Sequence, residues 1–299
     1  MIDFIIGFLK ERNINYKPNV DLSRISTVRI GPIAPLIIYP KSEDELVGTI
    51  GFLNDNSVRY LVLGGISNTL VLGKQFDGII ISLKLFSSIF LDKNRLDIGA
   101  GVSLSKAILF AADRSLGGAE SLRWIPGTVG AAVCGNAGAS GTEICDLLLS
   151  ATIYDPSLRK VETVTKAAIE PQYRKTALQH NGSIVISAMF AFFKRDKADI
   201  LRDFECAKRL RLENQPLDSP SLGSVFKRHQ GIGAGYYIDR AGLKGTRIGG
   251  VQVSKKHAGF FINLGGATAE DYLELIELVK SNVLEKFGII LEEEIKIIR

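Results

Sequence analysis

Three short stretches carry residue types that could handle protons and charge. LGSVFKR, residues 222–228, sets the hydroxyl of Ser224 beside Gly223, with Lys227 and Arg228 three and four residues on. A serine in such a turn can donate a proton or bind an anion, and the two cations can grip phosphate. Taken alone, a Ser-Gly turn with surface charges is the plainer reading. LEEEIKII, residues 291–298, reads as a strand in which alternation sets Glu292 and Glu294 on one face and Glu293 on the other. A solvated edge would explain it, as would an inward carboxylate acting as acid or electrostatic group. QYRKT holds Arg174 in a loop and says little by itself. There is no Gly-x-Ser-x-Gly elbow, so acyl transfer is not supported.

Two further stretches offer backbone rather than side chains. LVLGGISNTLV, residues 61–71, is either a tight turn between strands or a loop whose peptide amides hold a phosphate. WIPGTVGAAVCGNAGASG, residues 124–141, is dense in glycine and alanine, with the amide of Asn136 among them. Small residues allow close approach to a ligand, and successive N–H groups form anion-binding nests. The length of the run favours a bound cofactor over tight packing alone. A Rossmann turn needs Gly-x-Gly-x-x-Gly before a crossover helix; GGISNT lacks that spacing, GAGVSL lacks the third glycine, and no P-loop is present.

The elements that must position these residues interleave strands and helices, an α/β or α+β pattern. The first residues, MIDFIIGFLKERN, read as an amphipathic helix and lack the basic leader of a signal peptide. Ser42 and Glu45 form a capping-box signature ahead of a helix, followed by strands at VRYLVL, GIIISL and RLDIGAG. A helix begins at Ser103 or Ser105 and closes at Gly117. Strands LLLSATIYD and GSIVISAMFAFF flank the Arg174 loop, and helix KADILRDFECAKRLRLEN ends before Pro216. QPLDSPSLGSVFKR is taken as the domain junction. Helix AGYYIDRAG, strand HAGFFINL, a long helix from Thr268 and the terminal strand IILEEEIKII complete the chain.

At 299 residues the chain has room for two domains, and 46% hydrophobic with 23% charged residues is an ordinary globular balance. No apolar run approaches the ~20 residues of a membrane span. Cys134, Cys145, Cys206, His180, His229 and His257 show no metal-ligand or redox spacing, so no metal is expected. The net charge of +5 suits an anionic small molecule as well as it suits nucleic acid. The densest basic stretch, AKRLRLENQP, alternates with leucine as a solvated helix face does, and nucleic-acid binding is not expected.

Taken in order, STVRIG, LGGISNTLV, IPGTVGAAVCGNAGA, YR, GSVFKR, AGLKGTRIGGVQVSKKHAGFFIN with ATAEDYLELIELV, and LEEEIKII resemble the UDP-N-acetylenolpyruvoylglucosamine reductase family from about Ser26 to Ile298. The short connection after Arg174 is similar to the compact subtype lacking a Tyr-bearing inserted loop. The resemblance implies an α+β chain: a two-subdomain FAD-binding fold of the PCMH or vanillyl-alcohol-oxidase type, plus a C-terminal α+β substrate domain. The expected boundaries are 1–202 (subdomains about 1–45 and 46–202) and 203–299. It implies a cytoplasmic enzyme of peptidoglycan precursor synthesis, a monomer with neither nucleic-acid nor membrane partners.

Further, the resemblance implies that FAD takes a hydride from NADPH and passes it from flavin N5 to the vinyl carbon of a UDP-N-acetylglucosamine enolpyruvyl ether. Gly64, Gly65, Ile66, Ser67, Asn68 and Thr69, with Ile125, Pro126, Gly127, Thr128, Gly130, Asn136, Ala137, Gly138 and Ala139, would surround the cofactor. Arg174 would stabilise the enediolate-like charge and Glu294 would hydrogen-bond the same carboxylate. Ser224 would protonate the α-carbon. Lys227, Arg228, Lys244 and Arg211 are candidates for substrate phosphates, on charge alone. Where the family has glycine, this chain has Ile66. A β-branched residue disfavours positive φ, so Ile66 is expected to keep φ negative, with Gly64 and Gly65 absorbing the unusual dihedrals and Ser67 and Asn68 facing the phosphates. The rivals are another flavin oxidase or dehydrogenase on the same scaffold, and a non-catalytic nucleotide- or flavin-binding protein.

Overall fold

A computed structural model describes all residues 1–299. They form two compact units: Met1–Val20, Ala34–Gly65 and Asp77–Lys208 in the first, Asp21–Ile33, Ile66–Phe76 and Arg209–Arg299 in the second.

In the first unit, helix Ile2–Glu11 buries Ile5 and Leu9, one turn apart. Helix Glu43–Asp55 starts at Ser42, whose hydroxyl accepts from the Glu45 N–H at 3.3 Å. The Glu45 carboxylate returns to the N–H of Lys41 at 3.0 Å rather than to that of Ser42, so the capping box is displaced by one residue. A four-stranded sheet runs in the order Asn15–Asp21, Ile33–Tyr39, Ile79–Ser82, Tyr60–Leu63. Tyr60–Leu63 and Ile33–Tyr39 both lie parallel to Ile79–Ser82, and such buried parallel strands carry continuous aliphatic runs. A five-stranded antiparallel sheet runs Lys160–Thr165, Leu148–Asp155, Ile184–Ala191, Arg95–Gly99, Ile89–Asp92. One hydrophobic core joins both sheets to the helices. Helix Leu104–Ala112 is capped by Ser103 and stops at Ala112, short of the expected Gly117. Gly117 instead pairs with Phe193 in a two-residue antiparallel strand.

The second unit has its own core. Its antiparallel sheet runs Ser221–Ser224, Phe260–Asn263, Val251–Val253, Arg247–Ile248. Helix Ala269–Phe287 lays Tyr272, Leu275, Ile276, Val279 and Val283 into that core. Thr268 and Asp271 cap each other's backbone N–H groups, both at 3.0 Å, and Gly288 closes the helix at φ +68. Two segments from the first quarter of the chain belong here. The Thr27 hydroxyl donates to the Ser221 carbonyl at 2.7 Å, and the Asn263 amide to that of Val28 at 2.9 Å. Thr69–Val71 pairs in parallel with Lys296–Ile298.

The partition therefore differs from the expected cut between residues 202 and 203. It falls at Lys208/Arg209, inside helix Lys197–Asn214, and the second unit takes in Asp21–Ile33 and Ile66–Phe76. The terminal strand is also shorter than expected, Lys296–Ile298 alone, with Glu293 in an isolated bridge to Phe226.

Candidate functional site

In the first unit the small-residue run and the Arg174 turn are one piece of structure. Gln172 and Lys175 exchange backbone hydrogen bonds of 2.8 and 3.1 Å across Tyr173 and Arg174. Arg174 sits at φ +55, the turn position that glycine or asparagine usually fills. Four hydrogen bonds then stitch this turn to residues 134–138. The Thr176 hydroxyl donates to the Cys134 carbonyl at 2.6 Å, and the Asn136 amide to that of Gln172 at 2.9 Å. The Arg174 guanidinium donates to the carbonyls of Gly138 at 2.8 Å and Asn136 at 3.4 Å. Gly138 is required by that approach: a Cβ there would lie 2.9 Å from the Thr142 oxygen and 3.1 Å from Arg174 Nη1.

Asn136 is 1% exposed and has φ +44. Its second amide proton goes to Glu143 Oε2 at 2.6 Å, and its oxygen accepts from the N–H of Cys145 at 3.3 Å. Its side chain thus works inside the protein, not on a ligand as expected. Glu143 and Thr176, which hold the same knot together, carry no signal in the sequence, because their partners lie 7 and 42 residues away. Burial pushes the neighbouring Cys145 thiol up to about 12.

The glycines of LGGISN answer to space. A Cβ on Gly64 would stand 2.8 Å from the Thr128 hydroxyl oxygen and 3.0 Å from Ala131 Cβ, and one on Gly65 would stand 3.2 Å from Gly127 Cα. Gly65 so abuts Gly127 backbone to backbone, Gly64 lies against the Thr128 and Ala131 side chains, and both glycines remain exposed. Neither has positive φ; Ile66 does, at +46. The expected assignment of dihedrals is therefore corrected. Close packing claims the glycines, and the turn falls on Ile66, whose side chain is 6% exposed and whose carbonyl accepts from the N–H of Thr27 at 3.2 Å. Gly130, by contrast, packs inward, where a Cβ would meet that of Ala100 at 2.7 Å.

In the second unit the structure brings Ser224 and Glu294 together. Phe226 bridges Glu293 in antiparallel fashion, the N–H of Lys227 donates to the Glu292 carbonyl at 2.8 Å, and that of Glu294 to the Val225 carbonyl at 2.8 Å. The segments carrying the hydroxyl and the acid, 70 residues apart in sequence, thus become neighbours. Two of the three consecutive acids hold cations: Glu292 bonds the ammonium of Lys227, and Glu293 that of Lys280 at 2.8 Å. The proposed phosphate cations are engaged locally. Lys244 pairs with Asp239 at 2.7 Å, and Arg228 donates to the Gly231 carbonyl at 3.1 Å. Arg211 donates to Gln215 Oε1 at 3.0 Å, and burial pulls its guanidinium below its ordinary range. The side chain of Asn68, expected to face phosphate, donates to the Glu294 carbonyl at 3.0 Å.

Comparison with known proteins bears on both units. Residues 34–161 match a family model described as an FAD binding domain. Residues 215–298 match one described as the C-terminal domain of UDP-N-acetylenolpyruvoylglucosamine reductase. The reductase of that name from Caldicellulosiruptor bescii is 41% identical over 294 residues, 97% of this chain and 93% of the relative. That from Latilactobacillus sakei is 39% identical over 299 residues, 100% and 98% of the two chains. This chain belongs to the UDP-N-acetylenolpyruvoylglucosamine reductase family. It is a flavin-dependent oxidoreductase with the FAD-binding fold and the C-terminal domain of that family. The crystal structure of the Thermus caldophilus reductase superposes with a TM-score of 0.81 at 31% identity, covering 96% of this chain and 99% of the other. The exposed Gly64–Gly65 backbone, packed beside Gly127 and Thr128, fits the backbone contacts that a dinucleotide's phosphates make. No helix is long and apolar enough to cross a membrane, and no three His, Cys, Asp or Glu side chains gather where they could hold a metal ion.

Proposed function

We propose that the chain reduces the enolpyruvyl ether of UDP-N-acetylglucosamine to UDP-N-acetylmuramate, with NADPH as electron donor, as a cytoplasmic monomer. FAD, when bound, supplies the hydride chemistry that no side chain can. The observation that supports the reading most directly is the pairing of the two segments that carry the Ser224 hydroxyl and the Glu294 carboxylate.

Each chain group then has a defined task. Reduction of the alkene leaves negative charge spread into the substrate carboxylate. Arg174, held by two carbonyls, offers its guanidinium to that charge. Glu294 hydrogen-bonds the same carboxylate, which requires one of the two to carry a proton. Ser224 gives its proton to the α-carbon as general acid. Loop residues 64–69 and 125–130 hold the cofactor through their peptide groups. Lys227, Arg228, Lys244 and Arg211 remain candidates for the substrate phosphates, each of which would require an existing partner to be exchanged or shared.

An anaerobic titration tests the reading. The purified protein is expected to be yellow, to bleach on adding NADPH, and to regain colour with the enolpyruvyl substrate. A colourless protein that cannot be reconstituted with FAD overturns it. In Ser224→Ala, bleaching by NADPH should be unchanged and recovery slower by about 10²–10⁴-fold, the usual worth of a general acid. Equal slowing of both halves would remove Ser224 from that role.

A further inference from the structure

We propose that Asn68 is a positioning residue for Glu294: its side-chain amide clasps the Glu294 main chain and links the cofactor loop to the carboxylate. The inference rests on the functional reading above and concerns a residue otherwise counted among the cofactor ligands.

The geometry carries it. Thr69, Leu70 and Val71 pair in parallel with Lys296, Ile297 and Ile298. The Asn68 carbonyl accepts from the N–H of Lys296 at 2.9 Å, and its side-chain Nδ2 donates to the carbonyl of Glu294 at 3.0 Å. The regular ladder has ended by Glu294, and the amide supplies one more rung. An acceptor carbonyl fixes which end of the amide faces it, because only the nitrogen can donate. On the other side, the Glu294 N–H donates to Val225. The peptide groups flanking the Glu294 side chain are therefore held from two directions, one by the Ser224 strand and one by the loop that turns at Ile66. Without Asn68 the Glu294 carbonyl loses this bond, and the carboxylate can drift from the orientation that Ser224 and substrate need. Placement to within about 0.5 Å is what productive geometry demands. A loop that settles on a cofactor phosphate thereby also settles Glu294, and such coupling acts equally in both directions.

Two measurements on the full chain test this. The first uses the cofactor-free protein, in which backbone hydrogen exchange at Ile295 and Lys296 is expected to be at least 10-fold faster in Asn68→Ala and in the isosteric but non-donating Asn68→Asp than in the parent. Unchanged exchange in both variants overturns the clasp, whatever the enzyme's activity. The second uses FAD-loaded Asn68→Ala, expected to keep FAD affinity and the rate of bleaching by NADPH within about threefold while colour recovery on substrate slows by 10-fold or more. A 10-fold loss of FAD affinity with normal recovery would make Asn68 a cofactor ligand instead and overturn the proposal. If the parent itself never recovers colour with the enolpyruvyl substrate, the functional reading fails, and the exchange result still decides the clasp.

Discussion

Around Arg174 the chain places its groups with irregular backbone, whereas around Glu294 it extends the hydrogen-bond ladder of paired strands. The Arg174 knot has two residues at positive φ, Asn136 and Arg174, and a buried amide with three protein partners. The Glu294 segment has ordinary dihedrals, an exposed and a half-buried acid each paired with a lysine, and main-chain bonds to two strands. The first arrangement is stiff because every buried polar group depends on the others, and the cost of breaking it is concentrated. The second spreads the same task over many weak links. Positive φ at a non-glycine residue costs of order 1–3 kcal/mol and persists only where its surroundings over-determine it, and in the Arg174 knot the hydrogen bonds of Asn136 and Arg174 supply that over-determination.

The largest expected effect follows from removing the keystone. Asn136→Ala should lower the free energy of unfolding by about 2–4 kcal/mol, because it leaves the buried Cys145 N–H without its acceptor and removes the amide's bonds to Glu143 and Gln172. Glu292→Gln, which removes one exposed partner of the Lys227 pair, should cost no more than about 1 kcal/mol. Urea titrations of the two variants that gave equal losses would dissolve the contrast between concentrated and distributed support.

A smaller effect has a diagnostic sign. At negative φ, glycine is roughly 0.5–1 kcal/mol worse than alanine. With Ile66 at φ +46 the order should invert, since alanine keeps the left-handed strain and glycine does not. Both variants lose the buried isoleucine side chain, so both should be less stable than the parent. Ile66→Gly should nevertheless be more stable than Ile66→Ala by about 1 kcal/mol, measured as the difference in urea midpoints at constant slope. The reverse order would return the loop to the dihedrals that the sequence suggested.

The smallest expected effect is on pH dependence, in the second unit. The N–H groups of Thr268 and Gly250 hold the Asp271 carboxyl below its ordinary 3.8. A carboxylate depressed in the folded state contributes stability that is present above the unfolded value and lost as pH falls through the lower folded one. Asp271→Asn should therefore flatten the loss of stability below about pH 4 while leaving the slope near neutrality unchanged. An identical acid limb in parent and variant would show that the cap does not titrate with folding.

What could be read from the sequence is what is decided locally. Ser42, Ser103 and Thr268 each start the helix their spacing suggested, since a cap needs only the next turn. The aliphatic runs form strands for the same reason. The family was legible because its motifs occur in order. Three things were not. Ile66 takes the left-handed turn because Gly64 and Gly65 are pressed against Thr128 and Gly127, a contact some sixty residues away in sequence. Asn136 is taken up by partners up to 36 residues distant. Lys227 advertises positive charge, yet it lies on Glu292, an acid 65 residues away that only the fold supplies. Residue type states what a group can do, and the partners that compete for it are set by pairing at long range.

The bond between Asn68 and Glu294 spans 226 residues. A ribosome adding about 5–20 residues each second therefore leaves this corner open for roughly 10–50 s after the loop has emerged. Throughout that interval the parallel strand that Thr69–Val71 needs does not yet exist. Maturation of the reductase is in this sense gated by translation itself: its glycine loop becomes complete among the last events of synthesis.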